Sequence, residues 1–159
     1  MRIYLPGSLS TLARVLESKA VEAAGGGPLT AYAPTGALAA ELGTDDPEEL
    51  EYQAMRAAAR ASLRLLAAEG GDRRLVLAAE VPDEAVSPER EARVRVDGPV
   101  GLELVVSGHV DEDAARPDIA AAAAALAAAD GDAEAVERAE SDAERHELLW
   151  YATQELRYL

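Results

Sequence analysis

The chain has no cysteine, no phenylalanine, one lysine (Lys19) and only two histidines (His109 and His146) in 159 residues. Each absence removes chemistry. Without cysteine there is no disulfide, no thiol nucleophile and no iron–sulfur ligation. Lys19 falls inside the first helical stretch and no G-x-x-x-x-G-K-S/T motif exists, so a P-loop is excluded. H-E-x-x-H is missing too, because Trp150 stands where the second histidine would follow His146-Glu147. No G-x-S-x-G elbow occurs, and Gly25–Gly27 lacks the spacing of a dinucleotide-binding turn. Asp130-Gly131-Asp132 carries its glycine at the second position, and Ser141 stands where a calcium loop needs glutamate. Motifs therefore assign no catalytic residue, no metal and no cofactor. A carboxylate-only Mg²⁺ or Ca²⁺ site built from distant acids stays open.

Long apolar runs are also missing: Ile119–Ala129 is the longest and is mostly alanine, well short of the roughly 18 residues a membrane span needs. Met1–Pro6 reads as a strand with no apolar signal core, so a soluble, cytoplasmic protein is expected. What is abundant is alanine, 36 residues, and acid. With aromatics at 4%, each residue buries little area, and stability has to come from many small contacts between closely packed elements.

The formal net charge is −15 and unevenly placed. Residues 1–80 hold 11 acids and 8 bases, whereas residues 81–159 hold 19 acids and 7 bases. Within Asp111–Glu147 there are 12 acids against Arg116, Arg138 and Arg145. Such a surface repels nucleic acid and anionic membranes and attracts basic proteins. The commonplace role of an acidic surface is solubility.

Along the chain, Arg2–Leu5 reads as a strand ended by Pro6-Gly7. A helix follows, with Ser8 as N-cap and Leu9, Leu12, Val15, Leu16 and Ala20 at helical spacing. Leu29–Ala33 reads as a second strand, an opening β-α-β order that suggests parallel strands. Thr35–Leu42 has room for one or two helical turns. Asp46-Pro47-Glu48-Glu49 is a strong helix start, and that helix should run to Glu69 and stop at Gly70-Gly71. Its expected buried stripe is Leu50, Ala54, Ala57, Ala58, Ala61 and Leu65. Arg74–Val81 suits an interior strand. Ala92–Asp97 and Leu102–Val110 alternate, and Asp97–Gly101 between them suits a hairpin that would set Arg93 or Arg95 opposite Glu103. Asp111–Asp113 would cap a helix start near Pro117. A last helix is expected from about Ala133 toward Glu155, with Val136, Ala139, Ala143, His146 and Trp150 as its buried stripe. The order β-α-β-α-β-β-β-α-α predicts α+β: a single domain over 1–159, with a mixed sheet of about five strands, helices packed against it, and an acidic helical C-terminal part from about residue 111.

Three groups bear on function. On the long helix Arg56 and Arg60 are one turn apart and suit a phosphate or carboxylate; the plainer alternative is a solvated face paired with nearby acids. In the last segment His146, Glu147 and Tyr151 bring imidazole, carboxylate and phenol together, although a histidine on an apolar stripe is more often a hydrogen-bonded core residue. Ser107, His109 and Asp111 supply the residue types of a hydrolase triad, but members two apart on one strand rarely reach triad geometry.

Met1–Pro6, Glu49–Tyr52, the stretch Ala58–Leu66 and His146–Glu155 together resemble an uncharacterised family of small acidic proteins from high-GC actinobacteria, over essentially the full length. No activity is established for that family, so the resemblance implies no catalytic residues. The leading expectation is a non-enzymatic binding or adaptor protein whose acidic helical surface (Glu134, Glu137, Glu140) meets a basic protein partner. The alternative is a protein or enzyme that binds a small anionic ligand through Arg56 and Arg60, with His146, Glu147 and Tyr151. DNA mimicry is a remote third. No direct contact with nucleic acid or membrane is expected, and the alanine-rich helix would serve equally as an internal packing face or a homodimer seam.

Overall fold

A computed structural model describes all residues, 1–159. Seven strands form one sheet: β1 (Arg2–Gly7), β3 (Leu29–Tyr32), β4 (Leu75–Glu80), β5 (Val86–Arg90), β6 (Arg93–Val96), β8 (Val105–Asp111) and β9 (Leu148–Ala152). Their spatial order is β5-β6-β3-β1-β4-β8-β9. Every neighbouring pair is antiparallel. Two short strands, β2 (Ala20–Val21) and β7 (Val100–Gly101), pair separately. The helices are α1 (Leu9–Ser18), α2 (Gly36–Leu42), α3 (Pro47–Glu69), α4 (Arg116–Ala128) and α5 (Ala133–Glu144). The single α+β domain is as expected, with a larger sheet than the five strands anticipated.

Alternation along the strands gives the sheet two covered faces. On one, Ile3, Leu5, Leu75, Leu77, Val94, Val96 and Val110 form a core with Leu12 and Val15 of α1, Val100 of β7, and Leu156. On the other, Tyr4, Tyr32, Val76 and Ala78 receive Leu50, Ala54, Ala58 and Ala59 of α3. A third cluster joins Leu63 and Leu66 of α3 to Ile119, Ala122 and Ala123 of α4 and to Ala143 of α5. Alanine thus lets three helices pack closely behind the sheet. The buried stripe of α3 turns toward Ala59, Ser62, Leu63 and Leu66 rather than Ala57, Ala61 and Leu65, because its second half faces α4.

Ser62 sits in that stripe for a reason of hydrogen bonding. Its hydroxyl donates to the Gly7 carbonyl at 2.7 Å and accepts from the Leu75 N–H at 3.0 Å. It closes the end of the β1–β4 ladder, where two buried backbone groups would otherwise go unpaired. The helix starts follow the sequence. Ser8 accepts from the Thr11 N–H, and Asp46 accepts from the Glu48 N–H ahead of Pro47.

Four expectations are corrected. The opening strands are antiparallel, meeting at Tyr4↔Tyr32. Between them the chain turns at Lys19 (φ 63°), which ends α1, runs through β2, and turns again at Gly25 and Gly26, also at positive φ. The hairpin of Asp97–Gly101 does not form: β6 pairs with β3 and β5, and β8 with β4 and β9, so Arg93 and Arg95 do not face Glu103. The strand β5 was missed because Pro88, Glu89 and Arg90 are poor strand formers, tolerated at a sheet edge. Leu102–Leu104 is a 3₁₀ turn and β8 begins at Val105. A bulge opposite Ala78 and Ala79 leaves Val106 exposed and turns Val105 inward, which reverses the expected alternation. Finally, the last helix ends at Glu144. Leu148–Ala152 pairs with β8 as an edge strand, and Thr153–Tyr158 forms a 3₁₀ turn, so His146 and Trp150 are not one helical turn apart. A spacing of three to four residues fits a helix, but an aromatic, apolar run gains more from pairing with β8.

Candidate functional site

Asp111 was expected to cap a helix and is instead fully buried at the end of β8. Its carboxylate accepts from Arg74: Oδ2 from the backbone N–H (2.8 Å) and Nε (3.0 Å), and Oδ1 from Nη2 (2.8 Å). The same guanidinium donates to the His146 carbonyl at 2.9 Å, fixing where the chain enters β9. This arrangement removes Asp111 from any triad. Ser107 and His109 do contact, Oγ to Nε2 at 3.2 Å, but Asp111 is satisfied by arginine.

Between α3, β1, β8 and the start of β9 lies a cavity of about 370 Å³. The long helix contributes Glu48, Glu51, Tyr52, Met55 and Arg56, spaced three to four apart and hence on one face. The sheet supplies Tyr4 and His109 as a floor, and Glu144, His146, Glu147 and Leu148 close the far side. Burial and the nearby Arg2 push His109 down to about 4, so its imidazole is neutral at pH 7. Burial, reinforced by Glu51, raises the Tyr4 phenol above its ordinary value.

The arginine row of α3 is matched by the glutamates of α5. Arg56 Nη2 donates to Glu144 Oε2 at 2.8 Å, and Arg60 Nε donates to the other oxygen of the same carboxylate. Glu140 lies 3.6 Å from Arg60 and 3.7 Å from Arg64. Burial alone would raise Glu144, but the bonds from Arg60 and Arg56 outweigh it and hold its pKa below the usual value. The bond to Glu144 correspondingly raises Arg60. The positive charge that recommended Arg56 and Arg60 as an anion site is thus already balanced. Around the cavity it is carboxylates that lack partners: Glu48, Glu51 and Glu147 are exposed, and no cation lies within ion-pair distance of any of them.

Of the five ligand-binding residues expected from sequence, Arg56, His146 and Glu147 line this cavity. Arg60 lies one turn further along α3 and lines two other recesses, one toward β6 and one toward α5. Tyr151 alternates to the opposite sheet face and packs on the core that holds Leu156. His146 Nε2 is 2.8 Å from Asp118 of α4. Of the expected partner-facing acids, Glu134 and Glu137 are exposed, whereas Glu140 is turned toward Arg60 and Arg64. Sequence reasoning missed Tyr4, His109, Glu48, Glu51 and Tyr52 as neighbours. Only the three-to-four spacing of Glu48, Tyr52 and Met55 signalled a shared face.

No group of three or more His, Asp or Glu side chains converges as a metal-binding set. No helix is long and apolar enough to cross a membrane. A broad antiparallel sheet, a long helix across one face and a partly polar cavity beneath that helix define the class: a single-domain α+β protein with a mixed-polarity recess between helix and sheet. The chain belongs to a family of unknown function, DUF6912, whose family model matches residues 1–159. No curated protein matches it. No solved structure matches it either.

Proposed function

We propose that this chain is a non-enzymatic binding protein that meets a basic protein partner, with the mouth of the α3 cavity receiving a cationic side chain. One observation carries the reading: Arg56 and Arg60 of α3 are ion-paired internally with Glu144 and Glu140, while Glu48, Glu51 and Glu147 stand unpartnered around the cavity. Three carboxylates at one opening attract a cation, and Tyr4, Tyr52 and Met55 offer apolar wall to the stem of a lysine or arginine. A neutral His109 adds no opposing charge. At longer range the net charge of −15 steers a basic partner toward this molecule, and Glu134 and Glu137 extend the acidic surface.

The test is affinity capture from a native lysate at low salt, with nuclease treatment, read by quantitative mass spectrometry. The expected result is a stoichiometric basic protein that is released near 0.5 M salt, where screening shortens electrostatic reach to about 4 Å. That protein should be lost from the Glu48→Gln/Glu51→Gln/Glu147→Gln variant and weakened by Glu134→Lys/Glu137→Lys. Capture unaffected by both variants, with unchanged salt dependence, would sink the reading.

A further inference from the structure

We infer that β9 is an acceptor strand: an extended basic segment of the partner adds alongside it as an eighth strand of the sheet. This rests on the partner reading above and specifies how the partner is held.

The two edges of the sheet are unlike. At one edge β5 carries Pro88, which has no N–H to offer, and Glu89, ion-paired to Arg93 at 3.0 Å. Proline and charge are the usual guards against strand addition. At the other edge β9 reads Leu-Leu-Trp-Tyr-Ala, with neither proline nor charge, and exposes 42% of Leu149 and 63% of Trp150. Its inner side is paired with β8 from Asp111↔Leu148 to Ser107↔Ala152. Apart from that ladder, its backbone makes one bond, from the Ala152 N–H to Glu155 at 2.8 Å. The chain beyond does not return to cover the edge. Thr153–Tyr158 turns under the opposite face and buries Leu156 against Gly108.

The bare edge adjoins the cavity. Leu148 lines it, and Trp150 stands directly across the ladder from His109 on the same sheet face. A strand laid against β9 runs about 4.8 Å away and directs alternate side chains to that face. There they meet the Trp150 ring, a good surface for a guanidinium, and the unpartnered Glu147. Main-chain bonds would supply affinity and the alternate basic side chains specificity. Charge selects the occupant. A second copy would bring another −15 against this edge, whereas a basic segment finds unpaired carboxylates at Glu48, Glu51 and Glu147.

Trp150 is the only tryptophan, so fluorescence excited selectively at tryptophan rather than at the five tyrosines reports on this edge. The full chain is titrated with a synthetic peptide of alternating arginine and valine, with the same peptide N-methylated along its backbone, and with a glutamate–valine control. Amide exchange is followed across Leu148–Ala152. Expected are saturable binding of the arginine–valine peptide, slowed exchange in β9, affinity at least about ten-fold weaker after N-methylation, and no binding by the control. Trp150→Lys, a change at an exposed site checked for folding by circular dichroism, lacks the fluorophore and is read by amide exchange: the arginine–valine peptide should no longer slow exchange in β9. Equal affinity of the methylated peptide overturns strand addition and leaves the acidic-partner reading standing. Failure of both arginine peptides to bind overturns the two together. Sedimentation showing that the chain alone is a dimer, and that Trp150→Lys dissociates it, makes a second copy the occupant and overturns the proposal.

Discussion

Replacing Asp111 by alanine should destabilise the fold by about 3–5 kcal/mol. The magnitude follows from what is left behind. Asp111 and Arg74 are both buried, and the carboxylate accepts three hydrogen bonds from Arg74. Without it a guanidinium stays in the interior with only the His146 carbonyl as acceptor, and the Arg74 N–H loses its partner. Set against a typical stability of about 5–15 kcal/mol, that is a large fraction of the total. Urea unfolding followed by circular dichroism measures it, the midpoint falling with little change in slope. The double variant Arg74→Met/Asp111→Leu is the discriminating companion: an apolar pair of similar volume should recover most of the loss, because the cost lies in an uncompensated charge. A single-variant loss below about 1 kcal/mol, or a double variant as unstable as the single, would refute the reasoning.

Ser62→Ala strands the Gly7 carbonyl and the Leu75 N–H, and should cost roughly 1–3 kcal/mol by the same urea assay; a cost like that of a surface serine would refute the bridging role. His109 is held near 4 when folded, against 6.5 in the free side chain, so the unfolded chain binds a proton that the folded chain refuses. Its contribution is complete above pH 6.5 and is lost as pH falls toward 4. After allowance for the ring's partial exposure it is on the order of 2 kcal/mol. His109→Gln should flatten that part of the stability–pH curve, and a ring titrating near 6.5 by NMR would count against it. In Gly108→Ala the new methyl would sit 2.4 Å from Leu156 Cδ2. The expected loss is about 1–3 kcal/mol, with relief when Leu156→Ala is added; additive losses would show that the two sites are not in contact.

Local features were legible in the sequence and long-range ones were not. The start of α3 could be read at Asp46-Pro47 because capping is settled within one turn. The unbroken apolar centre Leu75-Val76-Leu77 marked an interior strand for the same kind of reason. The arginines of α3 and the glutamates of α5 were each visible as rows at helical spacing. Nothing local showed that Arg56 and Arg60 share Glu144, since that depends on how two helices meet. His146 to Trp150 shows the limit most clearly, because one pattern served two structures and pairing with β8 chose between them. The cavity was the least legible of all. Its lining comes from β1, α3, Arg74 just ahead of β4, β8, the end of α5 and the start of β9, and no single segment contains it.

The strand order has a consequence for how the chain comes to be folded. β1, which precedes every other strand of the sheet along the chain, is an interior strand, and its longest ladder is with β4, where Leu5 meets Leu77. At roughly 5–20 residues per second, β1 emerges from the ribosome about 4–14 s before that partner exists. The partner of β8 at the far edge, β9, arrives last of all the strands. Nascent chains halted before residue 75 would carry α3 and an apolar β1 whose β4 side is unpaired, and those are the species in which aggregation should concentrate.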